Sequence, residues 1–85
     1  MNFSFIGTND IVKAFISQRH GWAVGSTFEN TFYNNDPFER QNLSALEYIQ
    51  DTVRDLIESS CLDPRVNTEL EYYLETLTEF LHIKS

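Results

Sequence analysis

The sequence predicts a mainly α-helical single domain, a small bundle of three to four helices whose last two form an antiparallel hairpin. Apolar residues recur at three- and four-residue intervals over most of the chain, which is the spacing of one helical face. Asp-Pro pairs at residues 36–37 and 63–64 precede the two longest of these runs, in the order of an N-cap and a first helical residue. Glu39 completes a capping-box pair with the first of them. The length, 85 residues, fits one domain with one core.

The N-terminal quarter of the chain predicts an extended arm followed by a helix. Residues 1–6 are apolar and aromatic, and we expect a short strand or arm packed on the core. Residues 8–10 then offer an N-cap. A basic pair precedes Gly21, which is the order of a basic last turn and a glycine stop. Together with the helical spacing between them, these signals predict a helix over residues 9–20. The apolar residues with that spacing are Ile11, Val12, Phe15 and Ile16.

Residues 21–35 have the weakest pattern. Two glycines interrupt it, and residues 22–24 fit a turn of extended chain. Three aromatic residues with helical spacing permit a short helix, although several asparagines compete with it for backbone hydrogen bonds. These aromatic residues are Phe28, Phe32 and Tyr33.

The second half of the chain predicts the helical hairpin. One helix is expected near residues 37–60, with a break near residues 40–42, and the other over residues 64–82, with a turn around Cys61 between them. The repeating apolar residues are Leu43, Leu46, Ile49, Val53, Leu56 and Ile57 in the first helix, and Val66, Leu70, Tyr73, Leu74, Leu77, Phe80 and Leu81 in the second.

The net charge of the chain indicates which classes of partner it can bind directly. Thirteen Asp and Glu residues stand against six Lys and Arg residues, which gives a formal charge of −7. Nucleic acids and anionic membranes are bound by clustered basic residues, and here these are scattered, so we expect neither as a direct partner. A basic protein partner suits the charge, because complementary fields speed association. The alternative is that the charge serves solubility alone.

Two rows of acidic residues are candidates for binding that partner. Each row recurs at three- and four-residue intervals and therefore shares one helical face. Like charges at this spacing cost a helix roughly 0.2–0.5 kcal/mol per pair, and only Arg54 offsets this in the first row. The rows are either an anionic surface for a basic groove or a solvated helix face. Their members are Glu47, Asp51, Asp55 and Glu58 in the first, and Glu71, Glu75 and Glu79 in the second.

Two aromatic residues are candidate anchors for the same partner. Tyr72 points off the apolar face of its predicted helix, between acidic neighbours, and Trp22 begins an aromatic-rich segment at residues 22–38. Exposed Trp and Tyr residues dominate many protein interfaces. The alternative for the aromatic segment is that it covers the open end of the core.

The residues that carry metal or catalytic chemistry form no complete motif. One Glu-x-x-His, at residues 79–82, matches half of a di-iron helix bundle, and His20 lacks the matching Glu. Cys61 could pair with a histidine as a nucleophile, or fill a turn as a small apolar residue. We therefore expect no enzyme activity, cofactor or metal. A lone cysteine and an N-terminus without a signal-peptide pattern favour the cytoplasm.

In general character the chain is similar to bacterial immunity proteins and antitoxins, and to phage-encoded anti-CRISPR and DNA-mimic proteins. The similarity is one of type and rests on no motif, so it assigns no site residues. It implies a stoichiometric inhibitor of a basic, nucleic-acid-acting protein, in the first place an immunity protein for a nuclease toxin. A phage anti-defence protein is the first alternative. A homodimeric structural or adaptor protein, which would use the broad apolar face of the last helix, is the second.

Overall fold

The computed structural model describes the backbone of residues 3–59 and 62–84, and the side chains from residue 11 onward within those ranges. These residues form four α-helices and one 3-10 turn: α1 (Phe3–His20), α2 (Trp22–Phe32), the turn Phe38–Arg40, α3 (Leu43–Ser59) and α4 (Pro64–Lys84). The predicted all-α bundle of three to four helices is confirmed. None of the described helices has the length and apolar character to cross a membrane.

The start of α1 corrects the predicted extended arm. The helix begins at Phe3, so residues 3–6 are helical, whereas residues 1–2 lie outside the described part of the chain. The predicted N-cap residues 8–10 are inside the helix. Asn and Asp favour a helix start only where the chain enters the helix, and here the backbone is already helical before them.

Gly21 ends α1 as predicted and turns the chain directly into α2. Its φ of 109° lies in the region that glycine adopts without steric cost, and its N–H donates to the Ser17 carbonyl at 2.8 Å. Because the corner takes a single residue, α2 starts at Trp22, and the extended turn predicted for residues 22–24 is wrong. Burial of Val24 and Phe28 against the core supports the helix there, which outweighs the weak local propensity.

The α3 helix has a different cap from the predicted one. It begins at Leu43, and the Asn42 Oδ1 accepts two backbone N–H groups of its first turn, at 2.9 and 3.3 Å. Pro37 has extended backbone and precedes only the 3-10 turn, without a side-chain cap, so Asp36 does not start a long helix. The interruption near residues 40–42 was predicted. The predicted cap of α4 is confirmed, because the Asp63 Oδ1 accepts a first-turn N–H at 2.9 Å.

The α3 and α4 helices form the antiparallel hairpin. Gln50, near the middle of α3, donates to Thr78, in the second half of α4, at 3.1 Å. Ile57, near the end of α3, lines the same groove as Leu74, at the middle of α4. Cys61, in the predicted turn, lies outside the described residues.

The chain between α2 and α3 runs along α4. The Phe38 ring contacts the rings of Tyr73 and Phe80, with centroids 5.9 and 5.4 Å apart. The segment therefore follows α4 toward its C-terminus and returns the chain to the start of α3, so α2 and α3 run parallel. All four helices contribute to one core. Its buried hydrophobic residues are Val12, Ile16, Val24, Phe28, Ala45, Leu46, Ile49, Val53, Leu56, Val66, Leu70, Tyr73, Leu77 and Leu81.

Candidate functional site

The acidic side chains of α3 and α4 lie on the outside of the hairpin. We call them the acidic face. All of them are exposed, while the buried apolar residues of the same helices lie on the opposite side, toward the core. The amphipathic pattern of both helices therefore places the carboxylates in solvent, where a partner can reach them. The acidic face consists of Glu47, Asp51, Asp55, Glu58, Glu71, Glu75 and Glu79.

Ion pairs neutralise little of the acidic face. Among the described side chains, two ion pairs occur, and α1 supplies the basic residue of each. Lys13 contacts Glu29 of α2 at 2.8 Å, and Arg19 contacts Asp55 of α3 at 2.8 Å. Asp55 is thus held against the bundle, while the other carboxylates of the acidic face carry no ion pair within the described part of the chain.

The α4 row borders a groove between α3 and α4. The groove has a volume of about 480 Å³, and Glu71, Glu75 and Glu79 line it. Ile57 of α3 also lines it and directly precedes Glu58, the last acid of the α3 row. The α4 row therefore borders the seam of the hairpin.

A larger groove lies on the other side of α4, between this helix and the segment that follows α2. Its volume is about 830 Å³. Five of the residues that line it are aromatic, and the acidic residues Asp36 and Glu69 lie among them. We call it the aromatic groove. Its aromatic residues are Phe32, Tyr33, Phe38, Tyr72 and Tyr73.

Tyr73 is the fixed base of the aromatic groove. Its hydroxyl and that of Thr31 are hydrogen-bonded at 2.7 Å. The ring makes edge-to-face contacts with Phe28 and Phe32, both with centroids 5.5 Å apart. Burial raises the pKa of the Tyr73 phenol far above its ordinary value, and the hydrogen bond from Thr31 opposes this only in part. The phenol therefore stays neutral, and the base of the groove is rigid and uncharged.

Asn35 shapes the rim of the aromatic groove. Its φ of 57° is left-handed, a conformation that asparagine tolerates better than most residues. The turn brings the Asp36 N–H to the Asn30 carbonyl, at 3.1 Å. Asp36 is thereby held at the groove instead of capping a helix.

Tyr72 joins the aromatic groove to the acidic face. Its side chain is 73% exposed and lines the groove. Glu75 and Glu79 follow three and seven residues later, on the same side of α4. The structure therefore brings the predicted anchor Tyr72 together with the α4 row.

Trp22, the other predicted anchor, is 75% exposed but does not line the aromatic groove. The contribution of Asp36 and Glu69 was not predicted from sequence. The density of aromatic residues in the segment 22–38 was the one available signal, and it could not show that the chain folds back along α4.

The histidines occupy structural or exposed positions. The His20 Nε2 and the Thr52 hydroxyl are 2.7 Å apart, and the ring stacks on Tyr48 with centroids 4.6 Å apart. His82 is exposed at the α3–α4 groove. In the part of the chain that the structure describes, no three His, Cys, Asp or Glu side chains come together as a metal site would require. Cys61 is outside that part.

Comparison with known proteins adds no family to these observations. No protein-family model, curated protein or solved structure matches this chain. Its function must therefore be inferred from its own geometry and charge.

Proposed function

We propose that this protein is a stoichiometric inhibitor that binds a basic, nucleic-acid-acting protein through the acidic face, and that it acts by binding instead of catalysis. The class of inhibitor that we propose is an immunity protein for a nuclease toxin, acting in the cytoplasm. The observation that carries the proposal is the acidic face itself, which is exposed and, Asp55 excepted, carries no ion pair among the described side chains.

The acidic face costs the isolated protein stability. Glu47 and Asp51, Glu71 and Glu75, and Glu75 and Glu79 are like-charged pairs four residues apart. Each such pair costs a helix roughly 0.2–0.5 kcal/mol. A basic groove on a partner would offset this repulsion and raise the association rate by about 10–1000-fold over an uncharged encounter.

The dimensions of the face suit a nucleic-acid groove. Glu47 and Glu58 are eleven residues apart on α3, which corresponds to about 16 Å at a rise of ~1.5 Å per residue. Double-stranded DNA carries a negative charge about every 1.7 Å of its axis. The carboxylates are sparser, but they have the same sign and follow a similarly linear path.

The structure weakens the alternative of a homodimeric adaptor. That alternative relied on an apolar face of α4 too broad for one chain. In the fold, the apolar residues of that face are used within the monomer: Val66, Leu70, Tyr73, Leu77 and Leu81 are buried, and Leu74 and Phe80 are half-buried against the core.

A pull-down of the tagged protein from the lysate of its own cells, at low and high salt, is the first test. We expect one basic nucleic-acid-acting protein that is retained at low salt and released at high salt. Recovery of the bait alone, as a salt-resistant dimer, would refute the proposal and favour the adaptor.

With the partner in hand, association kinetics test the face itself. The double variant D51N/E58Q should lower the association rate constant about tenfold, because it removes two steering charges. The control E39Q makes a single charge change away from the acidic face and from both ion pairs, and should lower the rate less than twofold, whereas the matched single variant D51N should lower it about threefold. Equal losses in E39Q and D51N would show that net charge, and not this face, governs binding.

A further inference from the structure

We infer that the aromatic groove binds an arginine side chain on an exposed segment of the basic partner. The assignment of that arginine to the partner rests on the proposed function. The chemistry of the groove, aromatic rings beside carboxylates, is independent of it and can be tested separately.

The wall of the groove offers two kinds of contact for a guanidinium group. The exposed ring of Tyr72 offers a π face, on which a guanidinium stacks. Asp36 and Glu69 offer carboxylates, which accept its N–H groups as charge-assisted hydrogen bonds. A planar cation that stacks and donates hydrogen bonds at its edge uses both at once, and arginine is the side chain with this shape.

The carboxylates of the groove are available to a ligand. Neither Asp36 nor Glu69 forms an ion pair among the described side chains, and no Lys or Arg lines the groove. Arg65 lies four residues before Glu69 on α4 but forms no ion pair with it, so both carboxylates remain open to an arginine from outside. An apolar peptide segment in the groove would desolvate both carboxylates without offering them a hydrogen bond or an opposite charge, which costs free energy.

The groove is held in shape before any ligand arrives. Tyr73 is fixed from below by its hydrogen bond to Thr31 and by the surrounding rings, and the left-handed turn at Asn35 fixes the rim. Binding therefore orders few groups, which lowers its entropic cost. The volume of about 830 Å³ exceeds what one side chain fills and accommodates the neighbouring backbone of the segment as well.

Because Tyr72 lies where the acidic face meets the aromatic groove, each surface can govern a different step of binding. A partner drawn to Glu75 and Glu79 on α4 meets Tyr72 on the same side of the helix. The acidic face then sets how fast the partner arrives, and the aromatic groove sets how slowly it leaves.

The site chemistry is tested by nuclear magnetic resonance titration of the full chain with two capped tripeptides, Gly-Arg-Gly and the same peptide with citrulline. Citrulline keeps the shape of arginine and removes its charge. We expect the arginine peptide to shift the amide signals of the groove and to bind at least fivefold tighter than the citrulline peptide. Equal binding of both would overturn the inference.

Variants of one residue locate the contact. Y72A should raise the dissociation constant of the arginine peptide about fivefold, and Y72F, which keeps the ring, should leave it within twofold. E69Q should raise it two- to threefold. E58Q makes the same charge change on α3 and should leave it unchanged. Peptide binding that ignores Y72A but weakens in E58Q would place the arginine on the acidic face and refute the groove.

The captured partner then separates the two proposals. Faster dissociation of the partner from Y72A than from Y72F, by about fivefold, would assign the groove to the partner. Peptide binding without any basic protein in the pull-down would refute the inhibitor and leave an arginine site for another protein. Partner dissociation that is equal in both variants would keep the inhibitor and refute the groove as its anchor.

Discussion

In the α1/α2 pair, basic residues join the helices to their neighbours, whereas in the α3/α4 pair the acidic residues face solvent. Lys13 ties α1 to α2, and Arg19 ties α1 to Asp55 of α3. The remaining carboxylates of the acidic face have no ion pair within the described side chains. Eight of the thirteen acidic residues lie on the α3/α4 pair, and among these eight Asp55 alone forms an ion pair with a described side chain.

The two pairs also differ in how closely their helices approach. Gly25 of α2 lies directly against the Ser17 side chain of α1, and a Cβ at this position would be only 3.4 Å from the Lys13 carbonyl oxygen. Between α3 and α4, Ile57 and Leu74 are partly buried side chains that line a groove. A tight backbone contact tolerates no added atom, while a side-chain contact can adjust, so the first pair is the more sensitive to substitution.

The substitution G25A is expected to have the largest effect on stability. A Cβ at this position would overlap the Ser17 Oγ and lie 3.1 Å from the Ser17 Cβ. Overpacking of this kind costs about 1–3 kcal/mol, and the better helix propensity of alanine returns up to about 1 kcal/mol. We expect a net loss of about 1–2 kcal/mol in the free energy of unfolding, measured by urea denaturation.

A second background provides the control for G25A. In S17G the overlapping side chain is absent, so the same substitution should be neutral or stabilising by up to about 1 kcal/mol. Loss of stability in both backgrounds would show that the contact with Ser17 is not the cause. The Ser17 hydroxyl itself is buried without a hydrogen-bond partner, so S17A should be tolerated.

The pH dependence of the free energy of unfolding tests the burial of Tyr73, whose ring joins the two pairs. Its pKa is raised in the folded protein, chiefly by burial, above the value of about 10 in the unfolded chain. Above pH ~10 the unfolded chain releases this proton and the folded one does not, so the free energy of unfolding falls as pH rises. One proton released by the unfolded chain alone lowers the free energy of unfolding by at most about 1.4 kcal/mol per pH unit.

The variant Y73F isolates that slope. It removes the titrating group and should flatten the decline of stability between about pH 10 and 11. At neutral pH it should cost about 0.5–1.5 kcal/mol for the lost hydrogen bond to Thr31. Y72F changes an exposed tyrosine by the same atom and should leave both quantities unchanged. An equal alkaline slope in wild type and Y73F would contradict burial of the phenol as its cause.

The same contrast explains how much of the molecule could be predicted from sequence. Both helices of the α3/α4 pair have an apolar side toward the core and acids toward solvent, so periodicity located both ends of α4 to within two residues. The helix predicted near residues 37–60 ends as expected but begins six residues later, at Leu43. Large apolar residues are exposed on both pairs, such as Ile11 and Trp22 on the first and Ile83 on the second. The first pair lacks the regular row of acids that marks the solvent side of α3 and α4, so its helical pattern is weaker. Asn42, and not Asp36, caps α3, because the tertiary contacts of Phe38 with α4 override the local Asp-Pro signal.

The two parts of the candidate site also differ in how far they could be predicted from sequence. The exposure of the acidic face follows from helical spacing alone. The aromatic groove depends on the chain from residues 33–42 folding back along α4, which rests on contacts between residues more than thirty positions apart, such as Phe38 and Tyr73. No local pattern encodes that distance, so Asp36 and Glu69 could not be linked before the fold was known.

The smallest predicted effect compares two aspartates of one row. Asp55 contacts Arg19 at 2.8 Å, and Asp51, one helical turn earlier, has no ion pair among the described side chains. D55N should lower the free energy of unfolding by about 0.2–1 kcal/mol, as expected for an exposed pair. D51N relieves repulsion by Glu47 and Asp55 and should raise it by a few tenths of a kcal/mol. Both substitutions remove one charge and have nearly the same helix propensity, so they differ only in what surrounds the carboxylate.

In about 1 M salt both effects should shrink toward zero. Changes of the same sign in thermal unfolding at low salt would contradict the contrast between Asp55, which is paired with a basic residue of α1, and Asp51, which has no ion pair among the described side chains.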